Sequence, residues 1–500
     1  MMVTEKKQQE GSKTDGFTAQ AEFASTSIGK NLGLLKNYFH HTSDLKNQTV
    51  DACGISCMLI YLDTVADSEK IEKVFLSNLC QAKSEQETAD YVASVQTLST
   101  TVVMEAAELL LQGYCLLTMQ GRKNVFLFNA GAMIQRKPDE PANEKVIRGS
   151  HTGFVEDMNI NQRLIRQRNQ NRNLVFKSIV KGQATKTKIV VGYIEGRADS
   201  AVVDTIIGSI ESIDVDMVFS PGFLEEFLDE SPFSPFPQFL QTERPDRVMA
   251  NLTDGKVVVL AEGSPTALIM PVTFFSFFQS PDDYNSRILP GTFYRMLRII
   301  SFMTALILPS VYIAIVAFHF EVVPQDLIIP LKLSLNNIPF PPLVEAAIMI
   351  FTIELLREAG IRLPNPVGQT IGIVGGLIIG DAVVNAGLIS YMMVIIIALT
   401  AIASFAIPNV EMSASLRLLT FPLILVSSIF GFLGIMFGIM IVIIHLCKLS
   451  NFGFYYFEPI SPFKSKQYKD SIFRYPLWKL YGNNKNKESS AGSKGRVENE

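Results

Sequence analysis

A basic excess is absent from this chain of 500 residues, in which 44 Lys and Arg are outnumbered by 48 Asp and Glu. A protein that binds a nucleic-acid duplex needs clustered positive charge to displace the counterions of the phosphates. The net charge of -4 therefore predicts that nucleic acid is not a partner.

The motifs of common enzyme classes are also missing. The sequence contains no GxSxG, no GxxxxGK[ST], no GxGxxG and no cluster of histidines. The cysteines are odd in number, and Cys53 and Cys57 have no second pair or nearby histidine that would complete a zinc site. We therefore expect no catalytic residue, no cofactor and no metal, and cysteines that serve as small buried apolar side chains.

An apolar core is missing from the first 20 residues, which excludes a secretory signal peptide in that stretch. We expect residues 1–40 to be a disordered polar tail. Without an export signal, the domain that follows is expected to stay in the cytoplasm.

Short apolar runs alternate with helix-like stretches in the first half of the chain. Strands are predicted at 57–62, 114–118, 124–128, 188–194 and 256–261, and helices at 68–78, 101–111 and 200–210. Such alternation predicts α/β layers. We expect two small α/β subdomains at 41–150 and 151–290, the second of which includes a proline-rich loop and a linker.

A charged stretch, RGSHTGFVEDMNINQRLIRQR at 148–168, joins the two subdomains. Arg163 and Arg166 are three residues apart and would share one face of a helix, with Glu156 close by in the sequence. This pattern fits a solvated helix face and an ion-paired contact with a partner domain equally well.

A second unusual stretch, SPFSPFPQFLQTERPDRV at 231–248, contains four prolines, which argue against a regular helix or a central strand. Glu243, Arg244 and Asp246 lie near its end. Together with the charged residues of the joining stretch, they are candidates for contact with a partner protein.

Charge almost disappears between residues 299 and 447. Apolar runs lie at 299–318, 342–360, 367–389, 392–407 and 418–447, and about 20 apolar residues are enough to span a bilayer. We therefore expect an all-α multi-pass membrane domain at 291–450, followed by a polar cytoplasmic tail at 451–500.

The number of apolar runs raises a question of topology. Five crossings would put the two chain ends on opposite sides, whereas basic residues before the first run and in the tail favour the cytoplasm for both ends. We therefore expect about four spanning helices and one re-entrant or interfacial helix near 341–360.

The helix near 341–360 carries charges at membrane depth, and such charges usually face protein or a water-filled path. Glu354, Arg357 and Glu358 would lie on nearly one face, with Glu345 almost opposite. They either form a local ion-pair cluster at a water interface or line or gate an ion path.

Small residues form a ridge in the next apolar run. The glycines recur every four residues: Gly368, Gly372, Gly376 and Gly380, with Gly375 beside them. Such a ridge lets another backbone approach closely, which favours helix packing or oligomer formation in a membrane. Asp381 and Asn385, four residues apart directly after the ridge, are further candidates for an ion path.

Several longer stretches together resemble the A subunit of the GerA-type spore germinant receptors. The stretches are GFVEDMNINQRLIRQR at 153–168, SPFSPFPQFLQTERPD at 231–246, PVTFFSFFQSPDDY at 271–284, the segment from PFPPLVEAA to VVNAGLIS at 339–390, and NVEMSASLRLLTFPLIL at 409–425. The resemblance covers about residues 30–480.

The resemblance implies a multi-pass protein of the spore inner membrane of an endospore-forming bacterium. It implies a transporter-like B subunit that binds the nutrient germinant and a lipoprotein C subunit as partners. The A subunit would form a homo-oligomer in the lipid, whose membrane part conducts monovalent cations when activated. No catalytic residues are implied.

Two other functions remain open from the sequence. The chain could be a membrane-anchored scaffold or signal-relay subunit without a conduction path of its own. It could also be a secondary transporter, although the two matching membrane halves that many transporters show are not apparent.

Overall fold

The computed structural model describes most of the 500-residue chain. The described residues are 24–52, 55–73, 97–131, 140–141, 143–146, 148–336, 338–363, 376, 380–463, 470–476 and 478. The chain divides into two compact units: the first consists of Met1–Lys137 with Asn159–Ser178, and the second of Pro138–Met158 with Ile179–Glu500.

The first unit is built on a five-stranded antiparallel sheet. Its strands are β1 (Leu45–Ala52), β2 (Ile55–Leu62), β3 (Leu98–Thr100), β4 (Tyr114–Met119) and β5 (Val125–Asn129), in the spatial order β1-β2-β4-β5-β3. The helices are α1 (Ile28–Tyr38), α2 (Ser68–Ile71), α3 (Val103–Leu111) and α4 (Met158–Arg168), of which Met158 belongs to the second unit.

Both faces of this sheet are buried, which explains why β2 reads as an almost unbroken apolar run. Met58 and Ile60 of β2 pack into one core with residues of α1 and α3. Cys57 and Leu59 point to the opposite face, since the side chains of a strand alternate, and join a second core there. Cys57 thus has the buried position that the sequence predicts for a cysteine without a metal.

The second sheet also has five strands. They are β6 (Leu174–Lys181), β7 (Thr187–Ile194), β8 (Leu240–Thr242), β9 (Val257–Ala261) and β10 (Ala267–Met270), in the order β6-β7-β9-β10-β8. The helices α5 (Ser200–Ser212), α6 (Pro221–Leu228) and α7 (Pro245–Thr253) accompany it. All of β9 (VVVLA) is buried, because strands pair with both of its edges.

The proline-rich stretch is more regular than the sequence predicts. Its middle forms β8, which lies at the edge of the sheet, where missing backbone donors are tolerated. Its end forms the first turn of α7, and Pro245 occupies the first helical position, where a proline loses no intrahelical hydrogen bond. The expectation that no regular helix lies here was therefore wrong at its C-terminal end.

Helices dominate the rest of the second unit. They are α8 (Pro281–Asn285), α9 (Ile288–Phe318), α10 (Gln325–Asn336), α11 (Pro342–Arg362), α12 (Tyr391–Phe405), α13 (Val410–Phe430) and α14 (Phe432–Lys448), followed by a small hairpin of β11 (Ser450–Asn451) and β12 (Phe454–Tyr455). Among the described residues, α9 and α13 are long and apolar enough to cross a membrane, and α12 and α14 are shorter apolar helices.

The predicted fold class is confirmed, since an α/β region with two sheets precedes a helical region with apolar helices. Membrane crossing, the cytoplasmic placement of both ends and the domain boundaries stay predictions.

Residues 418–447, counted as one apolar run in the sequence, fall in two helices. The chain turns at Gly431, whose φ of +60° is unfavourable for side chains with a Cβ. After the turn α14 runs back along α13, and a Cβ on Gly434 would clash with the carbonyl group of Val426. Within the described residues, the run counted once in the sequence therefore corresponds to two helices.

The apolar helices run between two ends of the second unit. We call the end at α8 and the second sheet the sheet end, and the opposite end the distal end. Helix α9 leaves the sheet end, where Arg298 binds Asp283 of α8, and reaches the distal end, where His319 stacks on Phe432 at 4.9 Å. Helix α14 returns from there, and His445 in its last turn contacts Ser234 beside the second sheet.

Two further apolar helices run in the same direction as each other. Helices α11 and α12 both start at the distal end, where Glu345 of α11 binds the backbone of Ser390 just before α12. Helix α12 ends at the sheet end, where the Ser404 carbonyl accepts a hydrogen bond from Ser413 of α13.

Some predictions concern residues outside the described part of the chain. They are those on the tails at 1–23 and 479–500, on the helix at 68–78 beyond residue 73, and on Cys53, Cys80, Gly368, Gly372 and Gly375.

Candidate functional site

Glu354 of α11 holds two arginines from two helices. Its Oε1 accepts a hydrogen bond from Nη1 of Arg357, one turn further along α11, at 3.0 Å, and forms a salt bridge with Nε of Arg417 of α13 at 2.9 Å. The Glu354 side chain is 32% exposed and that of Arg357 only 13%. The carboxylate therefore joins α11 to α13 in a largely apolar setting, where charge pairs are weakly screened.

The two guanidinium groups have further partners that bring in a third helix. Arg357 Nη2 donates to Ser404 Oγ of α12 at 3.2 Å, and its guanidinium carbon lies 4.7 Å from the ring centre of Phe405. Arg417 Nη1 donates to Ser413 Oγ at 2.9 Å. We call Glu354, Arg357, Ser404, Ser413 and Arg417 the three-helix cluster.

The three-helix cluster is not electrically balanced, because it contains two guanidinium groups and one carboxylate. Arg357 Nε is buried and has no hydrogen-bond partner within the described part of the chain. A cavity of about 40 Å³ lies beside the cluster, lined in part by Thr400 and Ala401. Such a volume holds a few water molecules at most.

Glu345 lies at the distal end, away from the cluster. Its side chain is buried, and Oε2 accepts a hydrogen bond from the backbone N–H of Ser390, the N-cap residue of α12, at 2.8 Å. The Ser390 hydroxyl lies 3.3 Å from the hydroxyl of Tyr312 in α9. A carboxylate at a helix N-terminus is favourable because the exposed N–H groups carry partial positive charge.

The other predicted charges do not join the cluster. Glu358 pairs with Arg362 one turn further along the helix at 2.6 Å, and both side chains are exposed. Asn385 donates to Asp381 Oδ1 at 3.0 Å, and both of these residues are exposed as well. The structure thus brings together Glu354 and Arg357 and leaves Glu358, Asp381 and Asn385 on the outside.

The described glycines of the ridge have open space around them. A Cβ on Gly376 or Gly380 would meet no heavy atom of the described residues within 4 Å. These two positions are therefore accessible to a backbone from outside the described part of this chain.

Arg166, a candidate for partner contact, is fully buried in the first unit. Its Nη2 lies 2.8 Å from Asp44 Oδ2, its Nη1 donates to the carbonyl of Leu174 at 2.9 Å, and its guanidinium group lies over the ring of Phe176. Arg166 is therefore ion-paired inside the first unit and does not lie on a solvated helix face, whereas a contact with a partner domain stays a prediction. Arg163, half-buried on the same helix, donates to the carbonyl of Thr64 at 3.0 Å.

Arg244 is likewise buried, in the second unit. It binds Asp246 through two nitrogen atoms, at 3.1 and 2.7 Å, and donates to the carbonyl of Ser150 at 2.9 Å. Glu243 accepts a hydrogen bond from the Asn143 side chain, and Glu156 is exposed. Because Arg166 and Arg244 are buried within the chain, neither is a surface residue in this structure.

A second charged cluster lies at the sheet end, where the chain turns into α9. Asp283 accepts hydrogen bonds from Arg295 at 3.1 Å and from Arg298 at 2.8 Å, and Arg295 also pairs with Asp470 at 3.0 Å. Tyr284 donates to Asp470 at 2.5 Å. We call these five residues the elbow cluster; it ties the C-terminal segment to the start of α9.

A cavity of about 870 Å³ borders the elbow cluster. Its lining mixes both signs of charge and includes Arg247, Asp254, Lys256 and Asp470. Burial lowers the pKa of Lys256 to about 8, although the carboxylate of Asp254 acts in the opposite direction. Burial also raises the pKa of the Asp254 carboxyl group.

The chain matches a known family along most of its length. A family model described as "Bacillus/Clostridium GerA spore germination protein" matches residues 33–486. The chain belongs to the GerA spore germination protein family.

Similar proteins include Spore germination protein A1 of Bacillus subtilis, which is 37% identical and aligned over 92% of this chain and 95% of its own length. Spore germination protein B1 of the same species is 36% identical, with 90% and 95% covered. The "Uncharacterized membrane protein YfkQ", also of that species, is 37% identical, with 91% and 90% covered.

A solved structure, of the N-terminal domain of the A subunit of the Bacillus megaterium spore germinant receptor GerK3, aligns with this GerA-family chain at 22% identity. The TM-score is 0.40, and the alignment covers 51% of this chain and 98% of that one.

Sequence reasoning about this GerA-family protein missed several members of both clusters. Arg417, directly before the apolar run at 418–447, could have been found, because a charged residue that adjoins so long an apolar stretch usually has a partner. Asp283 and Asp470 carried no such signal, since they are common charged residues in polar stretches. Arg295 and Arg298 were interpreted only as markers of the cytoplasmic side.

Proposed function

We propose that this GerA-family protein is the A subunit of a nutrient germinant receptor and acts as a component of an oligomeric, ligand-gated cation pathway in the spore inner membrane. The observation that carries the proposal is the three-helix cluster, in which Glu354 is shared by Arg357 of its own helix and Arg417 of another. A channel needs an element that can adopt two arrangements, and an ion pair between two helices, which can be formed or broken, is such an element.

The directions of the described apolar helices support a multi-pass arrangement. Helix α9 leads from the sheet end to the distal end, α11 and α12 each lead back, and α13 and α14 form a hairpin. Because α11 ends at the sheet end and α12 starts at the distal end, we propose one further passage of the chain between them. Six passages place both chain ends on one side, which we take to be the cytoplasm because of the positive-inside rule. With six passages, both chain ends lie on one side without the re-entrant helix that a count of five apolar runs requires.

Gating would separate α11 from α13. The Glu354–Arg357 contact lies within one helix and survives such a movement, whereas the Glu354–Arg417 contact is broken. Separating this half-buried pair costs free energy, which ligand binding to a partner subunit would have to supply. The B-type and C-type subunits of germinant receptors are the partners that we propose for this role.

Assembly would use the glycine ridge. The open space at Gly376 and Gly380 suits the close approach of a helix from a second copy of the chain. Gly376→Leu should therefore prevent assembly, which cross-linking in membranes would measure. An assembled Gly376→Leu protein would contradict this part of the proposal.

Cation flux through vesicles that contain the receptor tests the pathway itself. Glu354→Gln should change the flux, because it weakens the contact with Arg417 and leaves two half-buried guanidinium groups without their carboxylate. Glu358→Gln is the matched control, since Glu358 lies one turn away, is exposed and, among the described residues, pairs with Arg362. Equal flux for wild type and both variants would contradict gating by the cluster.

Absence of any flux, with intact germination signalling in spores, would favour a different role. The elbow cluster joins α9, α8 and the C-terminal segment, as a relay subunit without its own pathway would require. In that case Asp470→Asn, not Glu354→Gln, should weaken the germination response.

A further inference from the structure

Phe233 is a fully exposed phenylalanine at the tip of a rigid turn. Its relative exposure is 100%, and the backbone N–H of Ser234 donates to the carbonyl of Ser231 at 2.9 Å, which closes a turn around Pro232 and Phe233. Proline favours the second position of such a turn. The exposure of Phe233 is therefore built into the loop.

The loop is fixed against the last turn of α14. Ser234 Oγ lies 2.9 Å from Nε2 of His445, and the buried ring of Phe236 stacks on the same imidazole with ring centres 6.1 Å apart. Tyr456 donates to the carbonyl of Pro237 at 2.7 Å. These contacts hold Phe233 beside an apolar helix.

The surface of α14 next to this loop is apolar and exposed. Ile441 and Ile444 lie four and one residues before His445, and their side chains are 64% and 52% exposed. Phe437, one turn further towards the distal end, is 55% exposed. Phe233 therefore extends the exposed apolar surface of α14 beyond the end of the helix.

We infer that Phe233 inserts into the lipid interface at the sheet end and pins the second sheet to the membrane surface. The inference rests on the proposed membrane crossing of α14. Lipid is favoured as the partner of Phe233, because Phe233 is a single protruding side chain that continues the exposed apolar surface of α14. Aromatic rings are enriched at this depth of a bilayer, and the exposed Lys448 at the end of α14 suits lipid phosphates.

Tryptophan fluorescence of the full chain in vesicles of phosphatidylcholine and phosphatidylglycerol tests the inference. The chain has one tryptophan, Trp478, so reporters are introduced one at a time into the Trp478→Phe variant. Phe233→Trp should emit at short wavelength and lose emission when the phosphatidylcholine carries bromine in its acyl chains. Phe219→Trp is the control. Phe219 is also exposed, but it lies before the first residue of α6, whereas Phe233 lies after the last one. The emission of Phe219→Trp should be quenched by aqueous acrylamide instead.

A third reporter, Phe437→Trp, separates this inference from the proposed function. Loss of its emission with brominated lipid supports the crossing of α14, and no loss contradicts that crossing. If Phe437→Trp is quenched by bromine while Phe233→Trp is quenched by acrylamide, the loop lies in water and the inference is overturned. If neither quencher reaches Phe233→Trp, a protein surface such as a second copy covers it, which also overturns the inference.

Discussion

Arg295 of α9 pairs with Asp470, which lies 175 residues later in the chain, at an Nη1–Oδ1 distance of 3.0 Å. The same guanidinium group binds Asp283 of α8, whose carboxylate also holds Arg298. The side chain of Arg295 is completely buried. The start of the first apolar helix is thus held from two directions, by the segment before it and by the C-terminal segment.

The two carboxylates of the elbow cluster should differ in importance. Asp283→Asn should lower the free energy of unfolding by about 3–5 kcal/mol, because the buried carboxylate serves two arginines. Asp470→Asn should lower the free energy of unfolding by less, since Asp470 is 28% exposed and Arg295 keeps its contact with Asp283. Thermal unfolding of the full chain in detergent would measure both. A larger effect of Asp470→Asn would contradict this order.

The buried arginine of the first unit should not tolerate replacement by lysine. Arg166 binds Asp44 through Nε and Nη2 and also reaches the Leu174 carbonyl, a geometry that an ammonium group cannot reproduce. Arg166→Lys should destabilise the first unit by about 3 kcal/mol, seen as faster hydrogen exchange in β2 and β4. Arg168→Lys, at an exposed position of the same helix, should leave the exchange rates unchanged.

Two glycines of the helical region should respond in opposite ways to alanine. Gly434→Ala should lower the melting temperature, because its Cβ would clash with the backbone of Val426 and separate α13 from α14. Gly376→Ala, with open space around it, should leave the melting temperature of the isolated chain unchanged or slightly raised, since alanine is the better helix former. Equal losses for both variants would argue against the tight α13–α14 contact.

Lys256 should make stability depend on pH in the alkaline range. Its pKa of about 8 in the folded chain lies below the ordinary value of about 10.4, so the folded state releases this proton first. Burial of the charged Lys256 ammonium group lowers the free energy of unfolding by its full amount below pH 8, and this loss disappears as the pH rises to about 10. Wild type should therefore gain stability over this range relative to Lys256→Met.

The control for the alkaline effect is Lys46→Met, which replaces an exposed lysine. Its melting temperature should follow the wild-type dependence on pH. If Lys256→Met follows the wild-type dependence as well, Lys256 does not titrate near pH 8.

Local patterns predicted five of the ten described strands of the two sheets. The strand predicted at 188–194 corresponds to β7 at Thr187–Ile194, and that at 256–261 to β9 at Val257–Ala261. Both strands are buried, so a run of β-branched residues suffices to identify them. The turn at Gly431 was missed, because glycine is common inside membrane helices and does not by itself mark a break.

The candidate site could be predicted only in part, since partners that are distant in sequence leave no local signal. Glu345 was the charge least explained by its own helix, and its partner is the backbone of Ser390, 45 residues away. Glu354 and Arg357 were recognised because they are neighbours on one helix. Arg417, which completes the cluster, lies on another helix.

The position of Asp470 also has a consequence for biosynthesis. The ribosome completes every apolar helix before it makes Asp470, so Arg295 waits through the synthesis of 175 residues for its second carboxylate. A nascent or truncated chain that stops before this residue exposes an incompletely satisfied arginine at the base of α9. The partners of Arg295 are thus completed only after the described apolar helices have all been synthesised.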